Sequence, residues 1–184
     1  MTSDIWLITG GGRSGKSAYA EGLAEGGVLY IATAIETDGE MAERIAIHRA
    51  ARPQDWITWE RHSGFEDIEH TFSPNDFDTI LLDCVGNLLM GILFEEIPDA
   101  DEFASEDFDR VEHMSMSEAD KLCAYARKHG KRLVFVTNEV GMGIIPGTRY
   151  SRYYRDALGR INKHIAKAAD KAVLMVSGIP MTLK

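Results

Sequence analysis

A glycine-rich segment near the start of the chain constrains the possible folds more than any other part of the sequence. Residues 10–17 read Gly-Gly-Gly-Arg-Ser-Gly-Lys-Ser, which satisfies the pattern G-x-x-x-x-G-K-[ST]. An apolar run, Ile5–Ile8, precedes this segment, and residues 17–24 after it have helical character. Because a buried strand, a glycine loop and a helix follow one another in this order, we predict a phosphate loop of the Walker A type in an α/β domain.

The rest of the chain alternates short apolar runs with helical segments. Strands are predicted at residues 28–32, 79–83, 132–137 and 172–176, and helices at residues 39–52, 111–129 and 151–169. Since the strands read as continuous apolar runs, we expect a P-loop nucleotide-binding fold with a mainly parallel sheet and helices on both faces. Residues 181–184, after the turn at residues 177–180, are expected to form a short antiparallel edge strand.

The length and charge pattern predict one domain with an acidic appendage. The 184 residues fit a single nucleoside-triphosphate-binding domain over residues 1–184. The net charge of −9 is uneven, because residues 95–109 hold eight acidic and no basic side chains, whereas residues 127–171 hold eleven basic and three acidic ones. We interpret residues 95–109 as a solvated acidic loop or insertion, with metal binding as the alternative.

Targeting signals and cysteine-based metal motifs are both absent from the sequence. No apolar run approaches the roughly 18 to 20 residues that span a bilayer, and the amino terminus lacks the basic segment of a signal peptide. We therefore expect a cytoplasmic protein without a transmembrane segment. Cys84 and Cys123 lie in apolar surroundings, and we expect them to be buried free thiols.

The residue types of the glycine loop match the chemistry of phosphate binding. Glycines let backbone N–H groups curl around phosphate oxygens, Lys16 brings a positive charge to the β- and γ-phosphates, and Ser17 offers a hydroxyl to Mg²⁺. The helix that follows adds partial positive charge at its N-terminus. A flexible glycine turn with a solvated lysine is the alternative, but the position between a strand and a helix favours binding of a nucleoside triphosphate.

A metal ion beside the phosphates also needs an acidic residue at the end of a buried strand. Asp83 follows the apolar run Thr-Ile-Leu-Leu and fits this role. An ordinary loop or capping aspartate is the alternative interpretation. Glu139, after the predicted strand at residues 132–137, is a rival candidate for the metal ligand.

One histidine has suggestive neighbours. On a helix over residues 39–52, Arg44, His48 and Arg52 recur at i, i+4 and i+8 and share a face. Two cations beside an imidazole lower its pKa and favour the neutral form, whose free nitrogen is a nucleophile. A solvated basic face is the alternative and is the commoner reason for such spacing, so both interpretations stay open at this point.

These motifs, together with others further along the chain, closely resemble one family. The resemblance runs nearly end to end and depends on Thr9–Ser17, Tyr30–Ala34, Glu40–Ile45 with His48 and Arg52-Pro53, Leu81–Cys84, Thr137–Pro146, Arg155-Asp156 with Gly159–Asn162, and Val176–Pro180. The chain is similar to the bifunctional adenosylcobinamide kinase/adenosylcobinamide-phosphate guanylyltransferases of cobalamin biosynthesis. The phosphate loop alone is shared by a vast superfamily, whereas Glu139–Ile144 together with the histidine helix is specific to this group.

The resemblance implies an enzyme with two activities. Such an enzyme phosphorylates the aminopropanol hydroxyl of adenosylcobinamide with ATP or GTP, then transfers GMP from GTP to that phosphate, giving adenosylcobinamide-GDP and pyrophosphate. The second transfer passes through GMP bound to a histidine, and His48 occupies the matching position. Catalytic roles are thereby implied for His48 and Lys16, Mg²⁺ binding for Ser17 and Asp83, and nucleotide binding for Gly10, Gly11, Gly12, Arg13, Ser14, Gly15, Lys16, Ser17, Ala32, Thr33, Ala34, Arg49, Ala50, Ala51, Arg52, Glu60 and Asp83.

The resemblance also implies partners and leaves alternatives. Corrinoid and nucleotide substrates and a ring-like homotrimer are expected. The alternating arginines and tyrosines of Arg149–Arg155 could stack nucleic-acid bases, but the acidic composition and the lack of a recognised module argue against nucleic-acid binding. Two other functions stay open: a simple P-loop kinase of a small hydroxyl substrate, and a non-enzymatic nucleotide-dependent switch.

Three positions depart from the pattern of the family. Gly12 replaces a usual alanine and adds flexibility to the loop. Ile47 stands where some relatives have a second histidine, which leaves His48 as the only nearby nucleophile. Gly86 stands where a threonine is common, so a hydroxyl that would contact nucleotide or metal is missing.

Overall fold

A computed structural model describes residues 3–36, 39–99 and 103–184, without the side chains of residues 40, 41, 44, 48 and 51. The strands are β1 (Ile5–Gly10), β2 (Val28–Ala32), β3 (Ile57–Glu60), β4 (Thr79–Asp83), β5 (Arg132–Val136), β6 (Lys171–Val176) and β7 (Ile179–Thr182). The helices are α1 (Lys16–Glu21), α2 (Gly39–Ala51), α3 (Ile68–Thr71) preceded by a 3-10 turn (Phe65–Asp67), α4 (Val85–Glu96), α5 (Ser105–His129) and α6 (Arg149–Ala168).

Within the described residues, seven strands form one sheet in the order β3-β2-β4-β5-β1-β6-β7. Every neighbouring pair is parallel except β6 and β7, which are antiparallel. The mainly parallel sheet with an antiparallel edge strand is therefore confirmed. The edge strand begins two residues earlier than predicted, because Ser177 (φ 51°) and Gly178 (φ 83°) alone make the hairpin turn. Pro180 is tolerated in this strand since it lies at the sheet edge.

Both faces of the sheet are buried, as the sequence predicts. On one face, Leu29, Ile80 and Phe135 belong to a core that includes residues of α4, α5 and α6. On the other face, Tyr30 and Leu81 belong to a second core that includes Ala20 of α1. Neighbouring residues of a strand thus enter different cores, which is why these strands read as continuous apolar runs.

Four elements are missing from the sequence prediction: strand β3, the 3-10 turn, α3 and α4. Helix α4 has no visible polar face, because Leu88, Leu89, Ile92 and Leu93 are all buried and the helix packs inside the larger core. Strand β3 alternates apolar and polar residues, but this edge strand is only four residues long, so its signal is weak. Neither a helix that is apolar all round nor so short a strand gives a periodic pattern long enough to predict the element.

The acidic loop or insertion predicted over residues 95–109 is shorter than expected: residues 97–99 and 103–104 lie outside helices, and both ends of the segment are helical. Residues 95–96 end α4 and residues 105–109 begin α5, while residues 100–102 lie outside the described part. Helix α5 therefore starts at Ser105 rather than at residue 111. Acidic residues are favoured in a first helical turn, and Asp107 accepts a hydrogen bond from the backbone N–H of Ala104 at 3.0 Å.

Aromatic residues fix this acidic segment to α6. The Phe103 and Phe108 ring centroids are 4.9 Å apart, and the Phe108 ring stacks on Tyr153 at 4.8 Å. Tyr150 packs against Phe108 at 5.4 Å, and the Arg149 guanidinium lies 4.6 Å from the centroid of Phe103. These side chains of α6 thus take part in packing within the fold. Across the described residues, no helix is both long and apolar enough to cross a membrane.

Arg132 ties together three segments at the amino end of the sheet. Its guanidinium Nε lies 3.0 Å from Asp4 Oδ1, and its Nη1 donates to the carbonyl of Leu23 at 2.8 Å and contacts Glu25 Oε1 at 2.6 Å. Burial raises the pKa of the Asp4 carboxyl, but hydrogen bonds from Arg132 and Trp6 outweigh burial, and the pKa ends below its ordinary value of 3.8. The folded state therefore favours the carboxylate form of Asp4.

We predict that Asp4→Asn destabilises the protein in a pH-dependent way. A lowered pKa in the folded state gives stability that is present above the unfolded-state pKa and is lost as the pH falls through the folded-state value. The substitution should lower the free energy of unfolding by about 1 kcal/mol at pH 7 and by less at pH 3. Urea titrations at both pH values measure the difference. Asp55→Asn, on an exposed loop, is the control, and an equal loss at both pH values contradicts the prediction.

Candidate active site

The carboxyl ends of β1, β2, β4 and β5 meet at one edge of the sheet, where ligands bind in open α/β folds. A cavity of about 600 Å³ opens at this edge. Several residues that the sequence predicts for the site line it: Ser17, Ala32, Ala34, Arg49, Arg52, Glu60 and Asp83. Residues far apart in sequence are thus brought together because parallel strands all end on the same side.

The phosphate loop has a backbone that needs glycine at two positions. Gly10 has φ 154°, and a Cβ there would lie 2.5 Å from the carbonyl oxygen of Met175. Gly15, immediately before α1, has φ 91°. Arg13 also has a positive φ, of 56°. By contrast, a Cβ on Gly12 would meet nothing within 4 Å, so the geometry does not require glycine where relatives have alanine.

Lys16 is buried under the loop, with 7% of the residue exposed. Its Nζ donates a hydrogen bond to the carbonyl of Gly11 at 2.6 Å. Burial lowers the pKa of this ammonium, and the negative charge of Asp83 opposes the effect. A cation that has lost part of its water and has one carbonyl partner gains strongly from a phosphate anion beside it.

Asp83 lies at the end of β4 and is held by Tyr30 of β2. The Tyr30 hydroxyl donates to Asp83 Oδ2 at 2.8 Å. The tyrosine ring stacks with Trp56, and the Arg52 guanidinium carbon lies 4.1 Å from its centroid. Burial and the Asp83 carboxylate raise the pKa of Tyr30 well above its usual value, so the phenol stays protonated and remains a donor. Sequence reasoning assigned no role to Tyr30, although its place in a strand beside β4 was the available signal.

Glu139, the rival of Asp83, lies on another side of the phosphate loop. It lines a separate cavity of about 320 Å³ together with Gly11, Gly12 and Arg13. Its carboxylate accepts the backbone N–H of Gly141 at 2.6 Å. Because Asp83 and Ser17 share the larger cavity and Glu139 does not line it, the arrangement favours Asp83 as the metal-binding carboxylate.

Thr33 is buried, and its side chain does not line the cavity. Its hydroxyl donates to the carbonyl of Cys84 at 2.7 Å and accepts the Cys84 N–H at 2.8 Å. Thr33 thereby fixes the backbone that follows Asp83. Cys84 and Cys123 are free thiols, as expected, though Cys123 is only partly buried, and burial raises the pKa of each to about 12. Both stay protonated and are poor nucleophiles.

One arginine of α2 and one directly after the helix line the cavity wall. Arg49 forms an ion pair with Glu60 at the end of β3. Arg52 covers the Tyr30 ring, and its Nε and Nη1 atoms are buried without a hydrogen-bond partner within the described residues. His48 belongs to α2, one turn before Arg52, but its side chain, like those of Arg44 and Ala51, lies outside the described part. A buried guanidinium with unsatisfied donors is a strong anion ligand.

The departures at positions 86 and 47 have local explanations. A Cβ on Gly86 would lie 3.0 Å from the Tyr154 hydroxyl, which donates to the Gly86 carbonyl at 3.2 Å. Tyr154 thus occupies the space beside Gly86 that a larger residue would need. Ile47 is 62% exposed, so its side chain contributes little to packing at this site.

Comparisons with known proteins agree with this geometry. Residues 6–183 match the family described as cobinamide kinase / cobinamide phosphate guanyltransferase. The chain belongs to this family. It is 41% identical over 181 residues to the bifunctional adenosylcobalamin biosynthesis protein CobU of Escherichia coli, covering 97% of this chain and 98% of that protein. It is 41% identical to CobU of Salmonella typhimurium over 186 residues, again covering 97% and 98%. It is also 36% identical over 181 residues to CobP of Pseudomonas aeruginosa, covering 97% and 96%.

Membership in the cobinamide kinase / cobinamide phosphate guanyltransferase family confirms the two activities expected from the sequence. The chain is a transferase of cobalamin biosynthesis that uses nucleotide substrates. A guanyltransferase must hold the phosphates of a nucleotide and neutralise their charge. The cavity brings together the Ser17 hydroxyl in the first turn of α1, the Asp83 carboxylate that ends β4, and two arginines at and just after the end of α2, and these groups suit this chemistry.

We predict that Gly10→Ala disrupts the phosphate loop of this transferase. The new Cβ overlaps the Met175 carbonyl oxygen, so the loop backbone has to move, and we expect the free energy of unfolding to fall by about 1–3 kcal/mol. GTP binding, measured by isothermal titration calorimetry, should be lost with it. Gly12→Ala makes the same chemical change in open space and should leave both quantities unaltered. Normal GTP binding by the Gly10 variant contradicts the prediction.

Proposed function

We propose that the chain first phosphorylates adenosylcobinamide with ATP or GTP. It then transfers GMP from GTP to adenosylcobinamide phosphate through GMP attached to His48, which gives adenosylcobinamide-GDP and pyrophosphate. The observation that carries this proposal is that one cavity is lined by Ser17 of α1, by Asp83 at the end of β4 and by residues of α2. One binding place for triphosphates next to the helix that holds His48 suits both transfers.

Binding of the triphosphate is proposed to use the phosphate loop and its lysine. The backbone amides of Gly11–Gly15 and the N-terminus of α1 surround the phosphates, and Lys16 exchanges its bond to the Gly11 carbonyl for the β- and γ-phosphate oxygens. This neutralises charge on the transferred group in the kinase step and on pyrophosphate in the guanylyl step. Phosphorylation of a hydroxyl then depends on positioning and charge, without a protein nucleophile.

The oxygen donors present at the cavity fit Mg²⁺. Ser17 offers a hydroxyl and Asp83 a carboxylate, and Tyr30 hydrogen-bonds one carboxylate oxygen and leaves the other for a ligand. Mg²⁺ commonly takes one or two protein oxygens and completes its shell with phosphates and water, which agrees with the absence of any larger acidic or histidine cluster among the described residues. When bound, the ion would neutralise negative charge on the phosphates.

Guanylyl transfer is proposed to proceed in two displacements. A neutral nitrogen of His48 attacks the α-phosphorus of GTP and forms a P–N bond, while the bond to pyrophosphate breaks. The phosphate oxygen of adenosylcobinamide phosphate then attacks the same phosphorus, and the histidine leaves. Arg49 and Arg52 line the cavity beside α2, where their charges would offset the repulsion between the two polyanions.

The remaining nucleotide contacts are proposed for Ala32–Ala34, Arg49–Arg52 and Glu60. Apart from Thr33, Ala50 and Ala51, these residues line the cavity on the side of β2, β3 and α2. The ion pair between Arg49 and Glu60 joins α2 to the end of β3 and so fixes one wall of the site.

We also propose a cytoplasmic homotrimer. Exposed apolar side chains support self-association: Met142, Ile144 and Ile145 on the loop before α6, and Ile179 and Met181 on the edge strand β7. An exposed apolar surface of this kind is typical of a protein–protein interface. The loop lies beside the phosphate loop, so assembly would place subunit contacts close to the site.

We predict that His48→Ala abolishes guanylyl transfer and spares phosphorylation. With GTP labelled at the α-phosphate, the parent protein should form an acid-labile adduct of GMP mass, and the variant should not. Both proteins should phosphorylate adenosylcobinamide with ATP, and chromatography of the product measures this step. His113→Ala, an exposed position on α5, is the matched control. An adduct that persists in the His48 variant rules out this residue as the nucleophile.

A further inference from the structure

Asn138 is a polar residue of the cavity to which the sequence assigned no role. Strand β5 lies between β1 and β4 in the sheet, and those two neighbours end in the phosphate loop and in Asp83. Asn138 follows β5 by two residues and lines the same cavity as Ser17 and Asp83. The strand order therefore places Asn138 between the phosphate loop and Asp83.

A polar relay fixes the backbone at this position. The Thr137 hydroxyl, at a fully buried residue, donates to Asn162 Oδ1 of α6 at 2.7 Å. The Asn162 Nδ2 donates to the Asn138 carbonyl at 3.1 Å. Both ends of the Asn162 amide are therefore used to hold this one turn, and buried polar groups contribute to stability only when they are satisfied in this way.

The same turn is bonded to the phosphate-loop strand. The Thr137 N–H donates to the Ile8 carbonyl at 2.9 Å, and the Glu139 N–H donates to the Gly10 carbonyl at 2.9 Å. Asn138 is thus fixed from α6 on one side and from β1 on the other. These bonds fix the backbone at Asn138 relative to β1.

The carboxamide of Asn138 is left for a ligand. Its Nδ2 atom lies 3.6 Å from the Cβ position of Gly86, and within the described residues the side chain has no hydrogen-bond partner. An amide nitrogen is a neutral donor that can bond a phosphate oxygen without competing with Mg²⁺ for Asp83.

We propose that Asn138 is a substrate-contacting residue of this transferase and that Asn162 is its positioning residue. The Asn138 carboxamide donates a hydrogen bond to the terminal phosphate of the bound nucleoside triphosphate, and Asn162 holds that carboxamide in place through Thr137 and the Asn138 carbonyl. This inference rests on the proposed use of the cavity for nucleoside triphosphates.

The contact is tested by comparing triphosphate with diphosphate binding. Titration calorimetry measures the affinity of Asn138→Ala and Asn138→Asp for the β,γ-imido analogue of GTP and for GDP. Loss of one hydrogen bond to a charged group should weaken triphosphate binding by about tenfold, and the added negative charge of Asn138→Asp should weaken it further. GDP binding should hardly change, because GDP has no terminal γ-phosphate.

Asn75→Asp is the matched control, since it adds the same charge on an exposed turn before β4. It should leave both affinities unaltered. Equal losses for the GTP analogue and for GDP, or no loss for either, overturn the contact with the terminal phosphate.

The positioning role is tested with a double-mutant cycle. Asn162→Ala should weaken binding of the GTP analogue selectively in the parent protein, but it should have no further effect in the Asn138→Ala background. A purely structural residue would weaken binding equally in both backgrounds, and that result overturns the role of Asn162. If Asn162→Ala does not fold, as judged by thermal unfolding, Thr137→Val breaks the relay at its other end and takes its place.

Failure of the two proposals can be told apart. Absence of a GMP adduct in the parent protein contradicts guanylyl transfer through His48, while selective loss of triphosphate binding in the Asn138 variants would still stand. If the parent protein forms the GMP adduct but the Asn138 variants bind the GTP analogue and GDP as the parent does, guanylyl transfer through His48 stands and the contact with the terminal phosphate fails.

Discussion

Parallel pairing of β1, β2, β4 and β5 is the constraint on which the site depends. In a parallel sheet the backbone hydrogen bonds fix the register, so Ala32 pairs with Asp83 and Asp83 with Val136. The loops that follow these residues therefore begin at nearly the same level. The phosphate loop joins them from β1, where the glycine at position 10 lets the backbone pass against Met175. The positions of the phosphate loop, of Asp83 and of Asn138 follow from this shared edge.

The electrostatics of the cavity are local and differ from those of the whole chain. The protein carries a net charge of −9, yet the cavity edge holds the buried ammonium of Lys16 and the partly unsatisfied guanidinium of Arg52. Much of the acidity belongs to the end of α4 and the start of α5, where Glu96 and Asp107 pair with Arg110. These ion pairs stabilise the acidic segment, and acidic residues are also favoured in the first turn of a helix. The acidic segment is therefore part of the folded structure. Cations that have lost water and lack full partners then attract a polyanion at short range, where screening by salt is weakest.

Polar networks hold the cavity wall in position. Thr33 fixes the backbone of Cys84, Tyr30 fixes the carboxylate of Asp83, and Asn162 fixes the turn at Asn138. Each of these residues acts through another residue, and all three lie far in sequence from the residue they hold. Such contacts give a site its geometry before any ligand binds, which reduces the entropy lost on binding.

The sequence by itself determined the phosphate loop, the alternating strand and helix order and the family, because glycine spacing and apolar runs are local signals. The resemblance to the family named part of the cavity wall, but Tyr30, Asn87 and Asn138 were not among the site residues it named. Helix α4, strand β3 and the helical nature of residues 105–109 were missed, since neither a helix that is apolar all round nor an edge strand of four residues gives a periodic pattern long enough to recognise. The choice between Asp83 and Glu139, and the roles of Tyr30 and Asn162, required the tertiary structure. These roles depend on which side chains meet across the sheet. A sequence does not give the distances between residues that lie 24 to 53 positions apart along the chain.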